Sequence, residues 1–162
     1  MYQKIMVPLD GSEVAECVLP HVEAFISGCQ VNTVVLIRVV EPAPAGLRNA
    51  STATSKESLE RLMADIQHVE EERKSAAEDY LKKTVGRLKS EGAKFQTEVI
   101  YGKAAESLID YAEANNIDMI LIATHGRSGV SRWMRGSIAD RVLRASKVPV
   151  LMVRAPGARR AA

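Results

Sequence analysis

Met119, Ile120, Leu121, Ile122 and Ala123 set five apolar side chains in an unbroken row. A strand sends successive side chains to opposite faces, so a row without polar gaps predicts a strand covered on both. The pattern recurs at Lys4–Leu9, at Val31–Val40, where Arg38 is the sole charge, and at Val148–Val153. Lys94–Ile100 alternates instead, with Phe95, Thr97 and Val99 as its apolar set, and reads as an edge strand with one wetter face. Helical patterns separate these runs. Strands alternating with helices predict a parallel sheet with helices on both faces.

Ser12 opens the first helical pattern, with Glu13 and Glu16 in its first turns where acids suit the helix dipole. Val14, Cys17, Val18, His21, Val22 and Phe25 form its apolar stripe, and Pro20 predicts a kink. His21 on that stripe reads as a packed core histidine. Ala43–Lys56 lacks apolar periodicity and reads as a loop. A long amphipathic pattern then runs from Leu59 through Leu62, Met63, Ile66, Val69, Ala77, Leu81 and Val85 to Leu88. Unbroken, such a helix is about 50 Å long, against about 40 Å for the domain. It either breaks near Glu70–Lys74, or its first half projects and packs elsewhere. Gly92 reads as its C-cap, and the Glu70–Lys74 charge run as a solvated face. Gly102 reads as a turn glycine. Gly102-Lys103 belongs to no G-x4-G-K-[ST] motif, which excludes a Walker-type nucleotidase.

The connection after the Met119–Ala123 run carries the chemistry. It holds His125, Gly126, Arg127, Gly129, Arg132, Arg135, Gly136 and Ser137, and the helical pattern Ile138, Arg141, Val142, Ala145 follows. Glycine lets the backbone approach an anion closely, and the first N–H groups of a helix lack partners within the helix. Ser137 can cap that helix or donate to a phosphate oxygen. The three arginines either clamp phosphates or serve as surface charge. His125 is the only general-base candidate in the connection, and no residue pattern orients it, so no catalytic residue is assigned. Asp10 ends the first strand run, where open α/β sheets collect ligands; capping the next helix is its alternative role.

The chain has 162 residues, 46% hydrophobic and 26% charged, with a net charge of +2. That fits one domain over residues 1–155 with a flexible tail at 156–162. The small net charge excludes a global field for nucleic acid. No apolar run is long enough to cross a membrane, and the start turns polar without forming a secretory leader, so a cytoplasmic location is expected. Cys17 and Cys29 fall in one predicted helix, roughly 18 Å apart, too far for a disulfide. His21, His68 and His125 form no metal-ligand spacing, so no metal site is expected.

Gly126-x2-Gly129-x6-Gly136-Ser137, the start MVPLDGSE and the terminal KVPVLMVR together resemble the universal stress protein family. The family's signature is G-x2-G-x9-G-[ST], and its first glycine is Ala123 here. The resemblance covers most of the chain. It implies an open five-stranded parallel sheet of Rossmann-like, adenine nucleotide alpha hydrolase-like type, with strand order 3-2-1-4-5. It implies a stress-response regulator that binds ATP, with or without Mg2+, at Pro8, Leu9, Asp10, Val39, Val40, Ala123, His125, Gly126, Arg127, Gly129, Gly136, Ser137 and Ile138. Asp10 would lie near the adenosine and Val39 and Val40 beside the base. It also points to a homodimer through Val148–Val153, an apolar run that would present an unpaired sheet edge. A further protein partner is left without identity. Two other readings stay open: a dimeric interaction module that binds no nucleotide, and a slow ATP hydrolase.

Overall fold

The apolar runs become strands because each is covered from both sides. The computed structural model of the protein describes residues 2–42, 56–89, 92–124 and 138–155. The loop reading for 43–55, the glycine-bearing connection 125–137 and the tail 156–162 lie outside the described residues. The strands are β1 (Lys4–Pro8), β2 (Thr33–Val40), β3 (Lys94–Tyr101), β4 (Met119–Thr124) and β5 (Val150–Arg154). The described helices are α1 (Glu13–Glu16), α2 (Leu19–Cys29), α3 (Lys56–Arg87), α4 (Ala104–Ala114) and α5 (Ile138–Ala145). The strands form one parallel sheet in the order β3-β2-β1-β4-β5, as the family resemblance implies.

Strand parity divides the core in two. Ile5, Val7, Val34, Leu36, Met119 and Leu121 pack with Val18, Val22, Ile26 and Leu81 of the α2 and α3 side. Met6, Val35, Ile37, Ile120 and Ile122 pack with Ala105, Leu108, Ala112, Ala139 and Val142 of the α4 and α5 side. Each strand therefore needs apolar residues at consecutive positions. At the amino ends of the strands, Asp118 Oδ2 accepts the N–H groups of Gln3 and Lys4, each at 2.8 Å, and ties β1 to the start of β4. This carboxylate serves the frame, at the end of the sheet away from the ligand crevice expected of such folds.

Four details depart from the sequence reading. The first helical pattern splits, with α1 closing on Cys17 and α2 starting at Leu19, so Pro20 sits in the first turn, where its missing N–H costs nothing. Val18, Val22 and Ile26, spaced by four, take the buried face, and His21 is exposed rather than packed. Cys17 and Cys29 thus do not share a helix, and both are free thiols. The third departure is Gly92: α3 ends at Arg87, and Gly92, at φ +114°, turns the chain into β3 instead of capping the helix. Finally, β3 is an edge strand as expected, yet Phe95 to Ile100 are all half-buried and neither face is clearly the wetter. Gly102, at φ +143°, makes the expected turn, and a Cβ there would collide with Ser107 Oγ.

The long helix runs unbroken for 32 residues. Its second half packs through Ala77, Leu81 and Thr84, all buried, and its first half leaves Met63 61% and Val69 41% exposed. Projection, not breakage, resolves the mismatch in length. Arg87 anchors the packed end by donating through Nη2 to Glu16 Oε1 at 2.8 Å. That hydrogen bond holds the Glu16 carboxyl below its ordinary value, against the opposing effect of burial. A lowered carboxyl pKa stabilises the fold above the unfolded value of 4.5 and ceases to do so as pH falls through the folded value. Urea midpoints of the wild type are therefore expected to fall between about pH 7 and about pH 3 by more than those of Arg87→Ala. The difference is modest, because Arg87 is 56% exposed and water screens the pair. Equal acid sensitivity of both proteins would mean that the pair contributes nothing.

Candidate functional site

The chain winds outward from β1 through β2 to β3, then crosses back to place β4 on the other side of β1. Crevices form beyond the carboxyl ends of strands where winding reverses in this way. The register shows how this one opens. The β1–β2 ladder continues from Lys4–Thr33 to Pro8–Ile37, and Leu9 N–H still donates to Ile37 O at 2.9 Å. The β1–β4 ladder holds only Ile5–Met119 and Met6–Ile120. Beyond Met6 the two strands pair with their outer neighbours and no longer with each other.

Asp10 stands on the β1 side of this opening. Its Oδ1 accepts the Ser12 N–H at 2.8 Å, which closes a tight turn through Gly11 at φ +89°. Ser12 Oγ in turn accepts from Ala15 N at 3.1 Å and caps α1. Asp10 therefore shapes the turn and does not cap the helix, and its carboxylate is exposed. Ala123 stands on the β4 side, half-buried and packed on the α2 and α3 side of the core. Thr124 ends β4, and α5 begins at Ile138, which is 43% exposed.

A cleft of about 330 Å³ lies at the carboxyl end of β2, lined by Arg38, Val39, Val40, Glu41, Arg73 and Ala76. The Arg38 guanidinium sits 5.2 Å from the centre of the Tyr80 ring, in a cation–π contact. It also abuts Gly11, where a Cβ would stand 3.3 Å from both terminal nitrogens. Gly11 is thus fixed both by its positive φ and by the arginine beside it. A second cleft of about 310 Å³ lies next to Pro42, Glu70, Tyr101 and Gly102, where the Tyr101 hydroxyl donates to Glu70 O at 3.3 Å.

The Tyr80 hydroxyl is buried and makes no well-formed hydrogen bond among the described residues, although Glu16 and Thr84 lie close to it. Burial, with the Glu16 carboxylate near by, pushes its pKa up to about 12. Tyr80→Phe removes the orphaned oxygen and keeps the ring under Arg38. It is expected to raise unfolding free energy by about 1 kcal/mol, read from urea denaturation; a loss of stability would reveal a hydrogen bond to Glu16 or to water.

Of the residues assigned from sequence, Pro8, Leu9, Asp10, Ala123, Val39 and Val40 lie at the carboxyl ends of three adjacent strands, with Pro8 and Leu9 buried. Ile138 starts α5. His125, Gly126, Arg127, Gly129, Gly136 and Ser137 lie outside the described residues. Sequence reasoning read Arg73 as part of a solvated charge run and Tyr80 as part of the apolar helix face, and gave neither these nor Arg38 a part in a site. The available signal was Arg38 itself, a lone charge inside a buried run; its neighbours on α3 are too distant in sequence to be paired with it. No group of histidine, cysteine or carboxylate side chains suited to a metal occurs among the described residues. No described helix is long and apolar enough to cross a membrane.

Comparison with known proteins agrees with this frame. The pattern of the Universal stress protein family matches residues 1–154. Universal stress protein MJ0577 of Methanocaldococcus jannaschii is 28% identical over 158 residues, covering 95% of this chain and 96% of its own. Universal stress protein MJ0531 of the same organism is 30% identical over 157 residues, covering 96% and 84%. The solved structure of MJ0577 superposes with a TM-score of 0.66 at 27% identity, over 100% of this chain and 99% of that one. Two more distant structures share the fold. One is a universal stress protein in complex with cAMP, with TM-score 0.66, 17% identity and coverage of 95% and 98%. The other is a family protein from Arabidopsis thaliana with AMP bound, with TM-score 0.62, 12% identity and coverage of 96% and 93%. The match over nearly the whole length, joined to the sheet order and its reversal point, establishes that the chain belongs to the universal stress protein family.

Proposed function

We propose that the protein is a nucleotide-binding regulator of the stress response that holds ATP at the opening between β1 and β4. The parting of those strands after Met6 and Ile120 carries this reading. It leaves a crevice with the exposed Asp10 carboxylate on the β1 side and the end of β4, which the glycine-bearing connection follows in sequence, on the other. Asp10 can accept a ribose hydroxyl, and Val39 and Val40 offer an apolar border for the base. Gly126, Arg127, Gly129, Gly136 and Ser137 would surround the phosphates, with His125 and Ile138 flanking them and Pro8 and Leu9 forming the floor. Family proteins solved with cAMP and with AMP support an adenine nucleotide as the ligand class. A few amide contacts and one or two charge-assisted bonds, each about 1.5–3 kcal/mol, reach micromolar affinity at about −8 kcal/mol.

Isothermal titration with ATP, after stripping any nucleotide retained through purification, tests the proposal. Saturable binding at one site per chain supports it, and no heat from the stripped protein at millimolar ATP rejects it. Ala123 refines the expectation. Its methyl packs on the core, so Ala123→Gly is expected to leave ATP affinity within about twofold and to cost about 1 kcal/mol of stability. A tenfold gain in affinity would place the methyl group in the crevice.

The same reading includes a homodimer through β5. Thr124 O accepts from Ala155 N–H, and Ile120 N–H donates to Pro149 O, so odd-numbered residues from 149 to 155 direct their backbone groups toward β4. Val150, Met152 and Arg154 direct theirs outward from the sheet edge. A second copy paired there satisfies both rows in a closed, isologous contact.

A further inference from the structure

We infer a second anion site, distinct from the glycine-bearing connection, in which Arg38 and Arg73 bind a phosphate or phosphomonoester group in the cleft between the end of β2 and α3. Both arginines line that cleft of about 330 Å³, ample for a phosphate group with part of its carrier. Neither is in an ion pair among the described residues. Glu41 shares the lining without pairing with either, which leaves a formal charge of +1 for a ligand to neutralise.

Arg38 is not an ordinary surface charge. It leaves a strand whose preceding four residues, Val34 to Ile37, are fully buried, and it is itself half-buried. Tyr80 and Gly11 both pack against its guanidinium. Its donors have no acceptor among the described residues. A guanidinium that is partly desolvated, packed against its neighbours and without an acceptor among the described residues suits an oxyanion, because part of the entropy of ordering it is already lost and its planar fork matches phosphate geometry. Arg73 adds the second charge from an exposed turn of α3, on the opposite wall. The site adjoins the proposed ATP crevice at Val39 and Val40 and at Gly11 beside Asp10, and its two arginines belong to neither the Asp10 carboxylate nor the glycine-bearing connection.

The test is a titration of the full chain with inorganic phosphate, followed by NMR of the arginine Nε–H signals. The Arg38 and Arg73 signals are expected to shift together along one saturable curve. Arg73→Gln, on the exposed helix surface, is expected to weaken that curve about tenfold, as loss of one charge-assisted bond implies. Arg38→Lys is expected to weaken it less than Arg38→Gln, and Arg73→Gln, on the exposed face of α3, should keep the ATP affinity of the wild type. A second titration, comparing adenosine 3′,5′-bisphosphate with AMP, identifies the source of the group. Tighter binding of the bisphosphate, lost in Arg73→Gln, assigns the site to the extra phosphate of a nucleotide; equal binding of the two assigns it to free phosphate. The inference is overturned if phosphate shifts only amides of residues 125–137, or if the Arg38 shift persists unchanged in Arg73→Gln.

Discussion

Gly136→Val is expected to weaken ATP binding at least about a hundredfold while the thermal unfolding transition stays cooperative. Gly136 precedes the start of α5 by two residues, where the helix offers its first unpartnered N–H groups. A branched side chain disfavours positive φ and stands between the backbone and an approaching phosphate. Losing two amide contacts of about 1.5 kcal/mol each gives about 3 kcal/mol, hence the hundredfold loss. Far-ultraviolet circular dichroism that matches the wild type is the accompanying check on the fold. Isothermal titration measures the affinity. An unchanged value in a folded variant would make the connection a structural turn and leave the interaction-module reading in possession.

The second large effect concerns assembly. Met152→Pro removes an outward N–H from β5 without touching the ladder to β4, whose backbone partners are the odd-numbered residues. Proline is tolerated on an edge strand, and Leu151 before it already has the extended conformation that proline demands. The wild type is expected to sediment as a dimer at micromolar concentration and the variant as a monomer. Met152 also packs against the α4 and α5 side of the core, so Met152→Ala serves as the control for lost packing. A wild-type monomer would remove the proposed interface. A variant that stays dimeric would move it to another surface, with the exposed Met63 and Val69 of α3 the next to examine.

Much of the fold was legible because two-sided burial leaves a mark that needs no partner information. Val34 to Ile37 and Met119 to Ile122 are apolar at every position, and only a covered parallel strand asks for that. Helix phase was less legible. Pro20 marked an irregularity without showing that the helix stops at Cys17 and restarts at Leu19, and the buried stripe of Ala15, Val18, Val22 and Ile26 leaves His21 in solvent. The continuity of α3 was also hidden: the tightly packed half after Ala77 carries the half before it, and local propensity says nothing of that support. For the site, Asp10 and the glycine spacing could be read because they are local. The placement of Arg38 on Tyr80 and beside Gly11 depends on three separate elements meeting, and no spacing within one element records it.

The reversal of winding also sets the order in which the protein can acquire its ligand site during synthesis. Residues through Tyr101 supply β1, β2 and β3, three adjacent strands joined in sequence order, together with Asp10 and Arg38. A nascent chain of that length already holds one wall of the crevice and nothing opposite it. The far wall arrives only when the chain has crossed back over β2 and β1 and β4 has taken its two rungs beside β1, a long-range closure made late in chain growth. An N-terminal fragment of this protein can therefore resemble the finished half-sheet and still have no crevice for a nucleotide.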